Sequence, residues 1–152
     1  MKIRCSTNED FEVISTFLGQ AGLSTSGLEE QQESFFLLED EVEKAQAVIG
    51  YEQEGNDALL RSLVVSPTIY SQHMVLFLQS VLSKLSEQNI NRVYLLTKQN
   101  VVQDLFLLLG FEQTEDKDVS NNIKEMNHYK TTIKNENILV YQKELYTNLS
   151  TN

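Results

Sequence analysis

The stretch from Ala58 to Leu85 limits the folds open to this chain more than any other part of the sequence. Its first half is apolar, partly β-branched and stops at Ser66-Pro67, which predicts a buried strand, because proline cannot donate to a ladder. The second half repeats apolar residues at three- and four-residue spacing, which predicts an amphipathic helix with Ser71 as its N-cap. The apolar helix positions are Met74, Val75, Leu78, Val81, Leu82 and Leu85.

A second strand is predicted where Val93 to Leu96 form the next apolar run. The strand, helix and strand together predict a right-handed crossover between parallel strands. The turn before the helix directs unpaired N–H groups beyond the first strand, which is a typical place for a phosphate. A further helix is predicted from Asn100 to Leu109, with Gly110 ending it in a left-handed conformation and Phe111 opening another strand.

The remaining segments add four more strands and another long helix. A capping-box pattern at Thr7 to Asp10 predicts a helix behind it that ends at the glycines 19 and 22 and buries Phe11, Ile14, Phe17, Leu18 and Ala21. Residues 112–134 carry few apolar side chains and are predicted as a strand end and a long excursion, with one helical turn at 120–126. The other predicted segments are strands at 2–5, 35–38, 45–54 and 138–145, hairpin turns at 39–44 and 55–57, and a loop with a short helix at 23–32.

Length and charge bound the function. The 152 residues predict a single domain over residues 1–145 with a polar tail at 146–152. A net charge of −10, with the 12 Lys and Arg scattered, argues against a nucleic-acid partner. The longest apolar runs are five residues, so no membrane span is expected. The single cysteine, Cys5, favours a reducing cytoplasm.

Acidic residues concentrate between Glu29 and Glu43. We interpret this run as a solvated helix end and loop, and the alternative is a surface for a cationic partner. The two histidines, His73 and His128, are far apart and there is one cysteine, so no metal site is predicted.

The element order β-α-β-β-β-α-β-α-β-β and four sequence blocks resemble the GNAT superfamily of N-acetyltransferases. The blocks are Ala21-Gly-Leu-Ser-Thr25, Leu59-Leu-Arg-Ser-Leu-Val-Val-Ser-Pro67, Tyr94-Leu-Leu-Thr97 and Leu105-Phe-Leu-Leu-Leu-Gly-Phe111. They look most like a subgroup of small acetyltransferases associated with arsenic resistance and amino-acid acetylation. The resemblance implies an α/β fold with a central mixed, mostly antiparallel sheet, a splayed parallel strand pair and flanking helices. Small members of the superfamily often look like dimers, so a homodimer is expected.

The resemblance also implies chemistry on acetyl-CoA. In the family, the strand that ends at Ser66-Pro67 carries a bulge, its backbone holds the pantetheine arm, and a backbone N–H polarises the thioester carbonyl. A primary amine of a small molecule or amino acid then attacks, and a tyrosine usually protonates the departing thiolate. The cofactor-binding positions implied here are Leu63, Val64, Val65, Ser71, Gln72, His73, Met74, Val75 and Asn100.

The chain departs from the family at two places. The family's glycine-rich loop begins with a basic or amide residue, which is Tyr70 here, and its two glycine positions are His73 and Val75. Side chains at those positions should crowd a diphosphate, so acetyl-CoA binding is expected to be weak, displaced or absent. His73 is interpreted as an ordinary surface or packed histidine, and the alternative is pairing with phosphate. The family tyrosine position is Phe106, which has no proton to give.

No strong catalytic base stands out, and Glu52 and Arg61 are the candidates considered. Glu52 is interpreted as a solvated surface acid. Arg61 interrupts an apolar strand and is interpreted as pairing with an acid or facing solvent, with the alternative that it holds an anionic group such as a carboxylate. Three functions stay open: an acetyltransferase with a remodelled cofactor loop, a degenerate scaffold that binds or regulates without catalysis, and a subunit that needs a partner to complete its site.

Overall fold

A computed structural model of the protein describes residues 1–22, 34–98 and 101–145. The loop predicted at 23–32, the N-cap candidate Asn100 and the polar tail lie outside the described residues. The helices are α1 Phe11–Gln20, α2 Ser71–Glu87, α3 Val101–Leu108, α4 Asn121–Lys124 and α5 Asn127–Thr132. The strands are β1 Lys2–Cys5, β2 Ser34–Glu39, β3 Ala45–Glu54, β4 Asp57–Val65, β5 Arg92–Lys98, β6 Glu112–Thr114 and β7 Ile138–Glu144.

The described strands form a seven-stranded sheet in the order β1-β2-β3-β4-β5-β7-β6. β4 and β5 are parallel, while β1 with β2, β2 with β3, β5 with β7 and β6 with β7 are antiparallel. This mixed, mostly antiparallel sheet with flanking helices confirms the predicted fold class. The parallel pairing of β4 with β5 runs from Asp57↔Arg92 to Leu60↔Leu95. Beyond it, β4 continues to Val65, and β5 continues to Lys98 while still paired with β7.

Contacts divide the chain into two compact units, so the single domain over residues 1–145 stays a prediction. The first unit comprises Met1–Glu52 and Arg61–Val81. Its core packs α1 onto β2, β3 and the end of β4. The buried residues of this cluster are Ile14, Leu18, Phe35, Leu37 and Val48, with Val64 packed against them. On β2 and β3, Phe36 and Tyr51 stack with ring centroids 5.2 Å apart.

The second unit comprises Gln53–Leu60 and Leu82–Asn152. Its core packs the 115–136 excursion onto β4, β5 and β7. The buried residues are Leu59, Tyr94, Val119, Ile123, Tyr129 and Val140. The excursion was predicted as mostly irregular with one helical turn, but it holds both α4 and α5, and Tyr129 is its buried anchor.

Some predicted core positions are wrong. Phe11 is 37% exposed and Ala21 is exposed, because the buried face of α1 is carried by Ile14 and Leu18, whose predicted burial is confirmed. Gly19 does not end α1, which continues to Gln20, whereas Gly22 follows with a φ of 74°.

Candidate functional site

The second half of β4 carries a backbone irregularity at the place where the family bulge was predicted. Ser62 has a φ of 58°, a left-handed conformation that non-glycine residues rarely adopt inside a strand. A residue in this conformation bends a strand, as in a β-bulge. Ser62 lies two residues after Leu60, where the parallel register with β5 ends. The bend and the end of pairing therefore fall at the same point of β4.

The cofactor segment predicted at Leu63, Val64 and Val65 differs in burial from the first half of the strand. Ala58, Leu59 and Leu60 are buried, but all three residues of the segment are only half-buried. The side chain of Val64 packs against the α1 cluster. The sequence predicted one continuous buried strand, and this is wrong for its second half, because the apolar run extends past the last partner on β5.

A tight turn connects β4 to α2. The backbone N–H of Ser66 donates to the carbonyl of Gln46 on β3 at 2.7 Å, so β4 is held at its end. The N–H of Ile69 then donates to the carbonyl of Ser66 at 3.1 Å, and Pro67 occupies the second position of this turn. The hydroxyls of Ser66 and Thr68 share a 3.0 Å hydrogen bond. This turn brings the start of α2 close after the end of β4.

The start of α2 lies one residue earlier than predicted. The carbonyl of Tyr70 accepts hydrogen bonds from the N–H groups of His73 (3.0 Å) and Met74 (3.2 Å), so Tyr70 is the N-cap residue. Ser71 is the first helical residue and not the cap, because α2 begins at Ser71. Ser71 and Gln72 are exposed, and among the described residues their N–H groups have no partner.

The residues that the family resemblance aligns with the cofactor loop all carry side chains. Tyr70 is 68% exposed, while His73, Met74 and Val75 are half-buried. The rings of Tyr70 and His73 meet edge to face at 5.8 Å. The Nδ1 atom of His73 is buried and has no hydrogen-bond partner among the described residues.

Glu52 and Arg61, the candidate side chains near this segment, form an ion pair. Nη1 of Arg61 lies 2.8 Å from Oε1 of Glu52, across β3 and β4. The exposed fractions of the two side chains are 21% and 20%. Arg61 therefore pairs with an acid, as its structural interpretation expected, and Glu52 is less solvated than predicted.

Phe106, at the family tyrosine position, is a core residue. It is 4% exposed and packs edge to face on Phe111, with centroids 5.4 Å apart. The N–H of Phe111 donates to the carbonyl of Phe106, and the N–H of Gly110 to the carbonyl of Leu107, which is a Schellman motif. Gly110 has a φ of 95°, which confirms its predicted role. No acid for the leaving thiolate is available from Phe106.

Sequence reasoning missed a charged cluster in the first unit. Arg4 contacts Asp10 through two hydrogen bonds of 2.8 and 2.7 Å and also donates to Glu39 at 2.8 Å. The hydrogen bonds from Arg4 lower the pKa of Asp10, and the N–H of Thr7 lowers it further. The capping box of Thr7 and Asp10 is confirmed, but the cap also serves this cluster. The sequence carries no local signal for this cluster, because Glu39 is 35 residues away from Arg4 along the chain.

The second unit holds a buried polar group that the sequence did not predict. The hydroxyl of Tyr129 donates to the carboxylate of Asp116 in a short hydrogen bond. Burial raises the pKa of Tyr129 above its usual value, and the bond to Asp116 raises it further. The hydroxyl of Tyr94 accepts from the N–H of Ser120 at 3.3 Å. These bonds fix the excursion to β5.

A polar cavity of about 590 Å³ lies in the second unit, at the opposite end of β4 from the cofactor segment. Asn56, Asp57, Asn91 and Arg92 contribute to its lining. None of the predicted site residues lines it. Within the described ranges, no three His, Cys, Asp or Glu side chains are grouped so that they could hold a metal ion. No helix there is long and apolar enough to cross a membrane.

Comparison with solved structures identifies the fold. An acetyltransferase of the GNAT family from Staphylococcus aureus superposes with a TM-score of 0.71 at 17% identity, covering 95% of this chain and all of that chain. A second structure is that of N-acetylglutamate synthase from Neisseria gonorrhoeae, complexed with coenzyme A and N-acetylglutamate. It superposes with a TM-score of 0.74 at 16% identity, and the match covers 97% of this chain and 36% of the synthase chain. The chain thus has the GNAT acetyltransferase fold.

Comparison of sequences then defines the family more closely. No family model matches the chain. The uncharacterised protein YwlB of Bacillus subtilis is 33% identical over 115 residues, which cover 75% of this chain and 78% of YwlB. The chain belongs to the same family as YwlB.

Proposed function

We propose that the protein is an N-acetyltransferase that transfers acetyl from acetyl-CoA to a primary amine of a small molecule or amino acid. The observation that carries this proposal is the bend at Ser62, which coincides with the end of the β4–β5 pairing at Leu60 and Leu95. A left-handed serine inside a strand is strained, and backbone strain of this kind occurs mostly at functional sites. The strain at Ser62 therefore supports a functional role for this part of β4. The bound coenzyme A in the solved relative supports the choice of cofactor.

The backbone of Leu63 to Val65 is the proposed holder of the pantetheine arm. Because these residues are half-buried, their side chains leave the backbone more accessible than that of Leu59 and Leu60. A backbone N–H there would stabilise the oxyanion that develops on the thioester carbonyl. The amine attacks the carbonyl carbon, a C–N bond forms, the C–S bond breaks, and coenzyme A leaves as the thiol with the proton that the amine gives up.

The start of α2 is the proposed diphosphate site. Ser71 and Gln72 are exposed, and within the part of the chain that the structure describes their N–H groups have no partner. They lie at the positive end of a 17-residue helix. The half-buried side chains of His73 and Val75 stand where the family has glycine, so we expect diphosphate binding to be weaker than in a glycine-rich loop.

The double variant His73→Gly, Val75→Gly tests this arrangement. Removing both side chains should lower the dissociation constant of acetyl-CoA, because the phosphates can approach the backbone. Gln79→Gly with Ser83→Gly is the matched control, since both residues are exposed on α2 and the helix loses about 1 kcal/mol per glycine in either case. An unchanged dissociation constant in the first variant would contradict crowding as the cause of weak binding.

A scaffold without catalysis is the second candidate. It is favoured by Phe106, a buried residue that cannot protonate the thiolate, and by the occupied glycine positions. Release of the coenzyme A thiol from acetyl-CoA, followed with a thiol reagent while amines are added, separates the two functions. Amine-dependent release supports the enzyme, whereas binding of acetyl-CoA without release by any amine supports the scaffold.

The proposal also covers the cell compartment, the partners and the oligomeric state. One exposed cysteine, Cys5, fits a reducing cytoplasm, and the acceptor is a small molecule, with neither nucleic acid nor membrane as a partner. The predicted homodimer is part of the same proposal, and sedimentation equilibrium tests it.

A further inference from the structure

The ion pair of Glu52 and Arg61 combines two opposite charges close to the proposed cofactor segment, and both features are relevant to which acceptor binds. Both residues belong to the first unit, and Nη1 to Oε1 is 2.8 Å. About four-fifths of each side chain is buried. Two opposite charges are therefore held next to each other, while about a fifth of each side chain remains exposed.

The pair lies beside the proposed thioester segment. Arg61 directly precedes the bend at Ser62 and is two residues before Leu63, which is about 7 Å along a strand. A small molecule held at Arg61 is thus within reach of a thioester held at Leu63. Among the other described arginines, Arg4 is occupied by Asp10 and Glu39, and Arg92 lies on β5 with Glu144.

A pair of fixed opposite charges discriminates among amines. A plain amine brings a positive charge that Arg61 repels, and a plain carboxylate brings a negative charge that Glu52 repels. An amino acid brings both charges on neighbouring atoms, so its carboxylate can contact the guanidinium and its ammonium group can contact Glu52. The planar guanidinium is well suited to a carboxylate.

We propose that the acceptor is a free amino acid, with Arg61 binding its carboxylate and Glu52 binding its amino group. This inference rests on the proposed acetyl transfer and specifies its substrate class. Glu52 and Arg61 are binding residues in this account, and the cofactor segment is separate from them.

The experiment compares amino acids with amines that lack the carboxylate. Leucine and isoamylamine, phenylalanine and phenethylamine, and arginine and agmatine are offered in pairs with acetyl-CoA, and leucinamide adds an amino acid whose carboxylate is neutralised. We expect kcat/KM for the amino acid of at least one pair to exceed that for its amine at least tenfold, with leucinamide behaving as an amine. Equal or better use of the amines, or no acetylation of any amino acid while acetyl-CoA binds, overturns the inference.

Variants assign the discrimination to the pair. Arg61→Gln should raise the KM of the preferred amino acid at least tenfold, leave the dissociation constant of acetyl-CoA unchanged, and reduce the preference over the amine; Arg61→Lys should restore part of it. Arg92→Gln is the matched control, because Arg92 is also a strand arginine paired with a glutamate, at 3.2 Å, and should leave the preference intact. An unchanged preference in Arg61→Gln overturns the inference.

A calorimetric titration with acetyl-CoA distinguishes a failure of the inference on the ion pair from a failure of the proposed acetyl transfer. If acetyl-CoA binds and amines are acetylated without preference for amino acids, the inference on the pair fails and acetyl transfer stands. If acetyl-CoA does not bind, both fail.

Discussion

Single residues carry the strain and the buried charge of this fold. Ser62 adopts a left-handed backbone inside β4, and Arg4 satisfies two carboxylates, Asp10 and Glu39, that are 7% and 8% exposed. A buried carboxylate without a partner is strongly unfavourable, so the cluster stabilises the fold only as long as it is complete. Neither feature makes a recognisable pattern in the sequence, because a serine in a strand and scattered charges are both common.

Substitutions at Ser62 test whether the left-handed conformation is required. Ser62→Gly should raise the free energy of unfolding by up to about 1 kcal/mol, and Ser62→Val should lower it by about 1–2 kcal/mol, because a β-branched residue resists φ values near +58°. Urea denaturation measures both. Ser34→Val in β2 is the control: Ser34 is exposed and its φ is not positive, so little change is expected. Similar effects of valine at both positions would contradict a strained Ser62.

Acid should weaken the fold through Asp10. Its pKa is lowered in the folded state by Arg4, so its contribution is present above the unfolded pKa of about 4 and is lost as the pH falls from there toward the lower folded value. Asp10→Asn should lower the free energy of unfolding at pH 7 by about 2 kcal/mol and flatten its decline below pH 4. The exposed Asp118→Asn is the charge-matched control. An unaltered pH profile in Asp10→Asn would argue against this coupling.

At the scale of elements, the ends of helices and strands were predicted less well than their existence. Every predicted strand and long helix is present within the described residues, since their periodicity and the stop signals at Pro67 and Gly110 are local. The N-cap of α2 was predicted at Ser71, because hydroxyl side chains are preferred at caps, but it is Tyr70. The start of this helix is set by the preceding turn, which Ser66 and Ile69 close with a hydrogen bond.

The site was predictable in part for the same reason. The strand that stops at Pro67 follows from local sequence, and the cofactor positions on it, implied by the family resemblance, stay a prediction. The ion pair of Glu52 and Arg61 depends on which residues of β3 and β4 lie close together. The role of Tyr129 was missed, because a lone tyrosine in a polar stretch gives no periodic signal, although it is 2% exposed.

The end of α3 gives a matched pair of glycine substitutions. Gly110→Ala should lower the free energy of unfolding by about 1–2 kcal/mol, because a φ of 95° strains any residue with a Cβ. Gly19→Ala, in the last turn of α1 with nothing within 4 Å of the added carbon, should raise it by up to about 1 kcal/mol. Thermal unfolding of the two variants should therefore shift in opposite directions. A lower melting temperature in Gly19→Ala without a lower one in Gly110→Ala would contradict this explanation.

The anchoring of α5 should be sensitive to alkaline pH. Because the pKa of Tyr129 is raised in the folded state, the stability it contributes is complete below the unfolded pKa of about 10 and is lost as the pH rises above it. Tyr129→Phe should lower the free energy of unfolding at pH 7 by about 1–2 kcal/mol and remove this alkaline decline. The exposed Tyr70→Phe should preserve the decline, and its loss in both variants would assign it to another group.

For the whole molecule, the fold and the chemistry rest on different observations. The GNAT architecture follows from the strand order and the superpositions. The proposed acetyl transfer depends on the β4 backbone from Leu63 to Val65 and on the start of α2, where the family resemblance assigns two glycine positions to His73 and Val75. The fold can persist with or without a cofactor, so the enzyme requires acetyl-CoA binding, and amine-dependent release of the thiol then separates it from a scaffold.

The most direct test of the central claim is a calorimetric titration of the unmodified protein with acetyl-CoA. The account predicts saturable binding at one site per chain, with a stabilisation of about 2.7 kcal/mol at one hundred times the dissociation constant. No heat of binding at millimolar acetyl-CoA, together with an unchanged melting temperature, would contradict it.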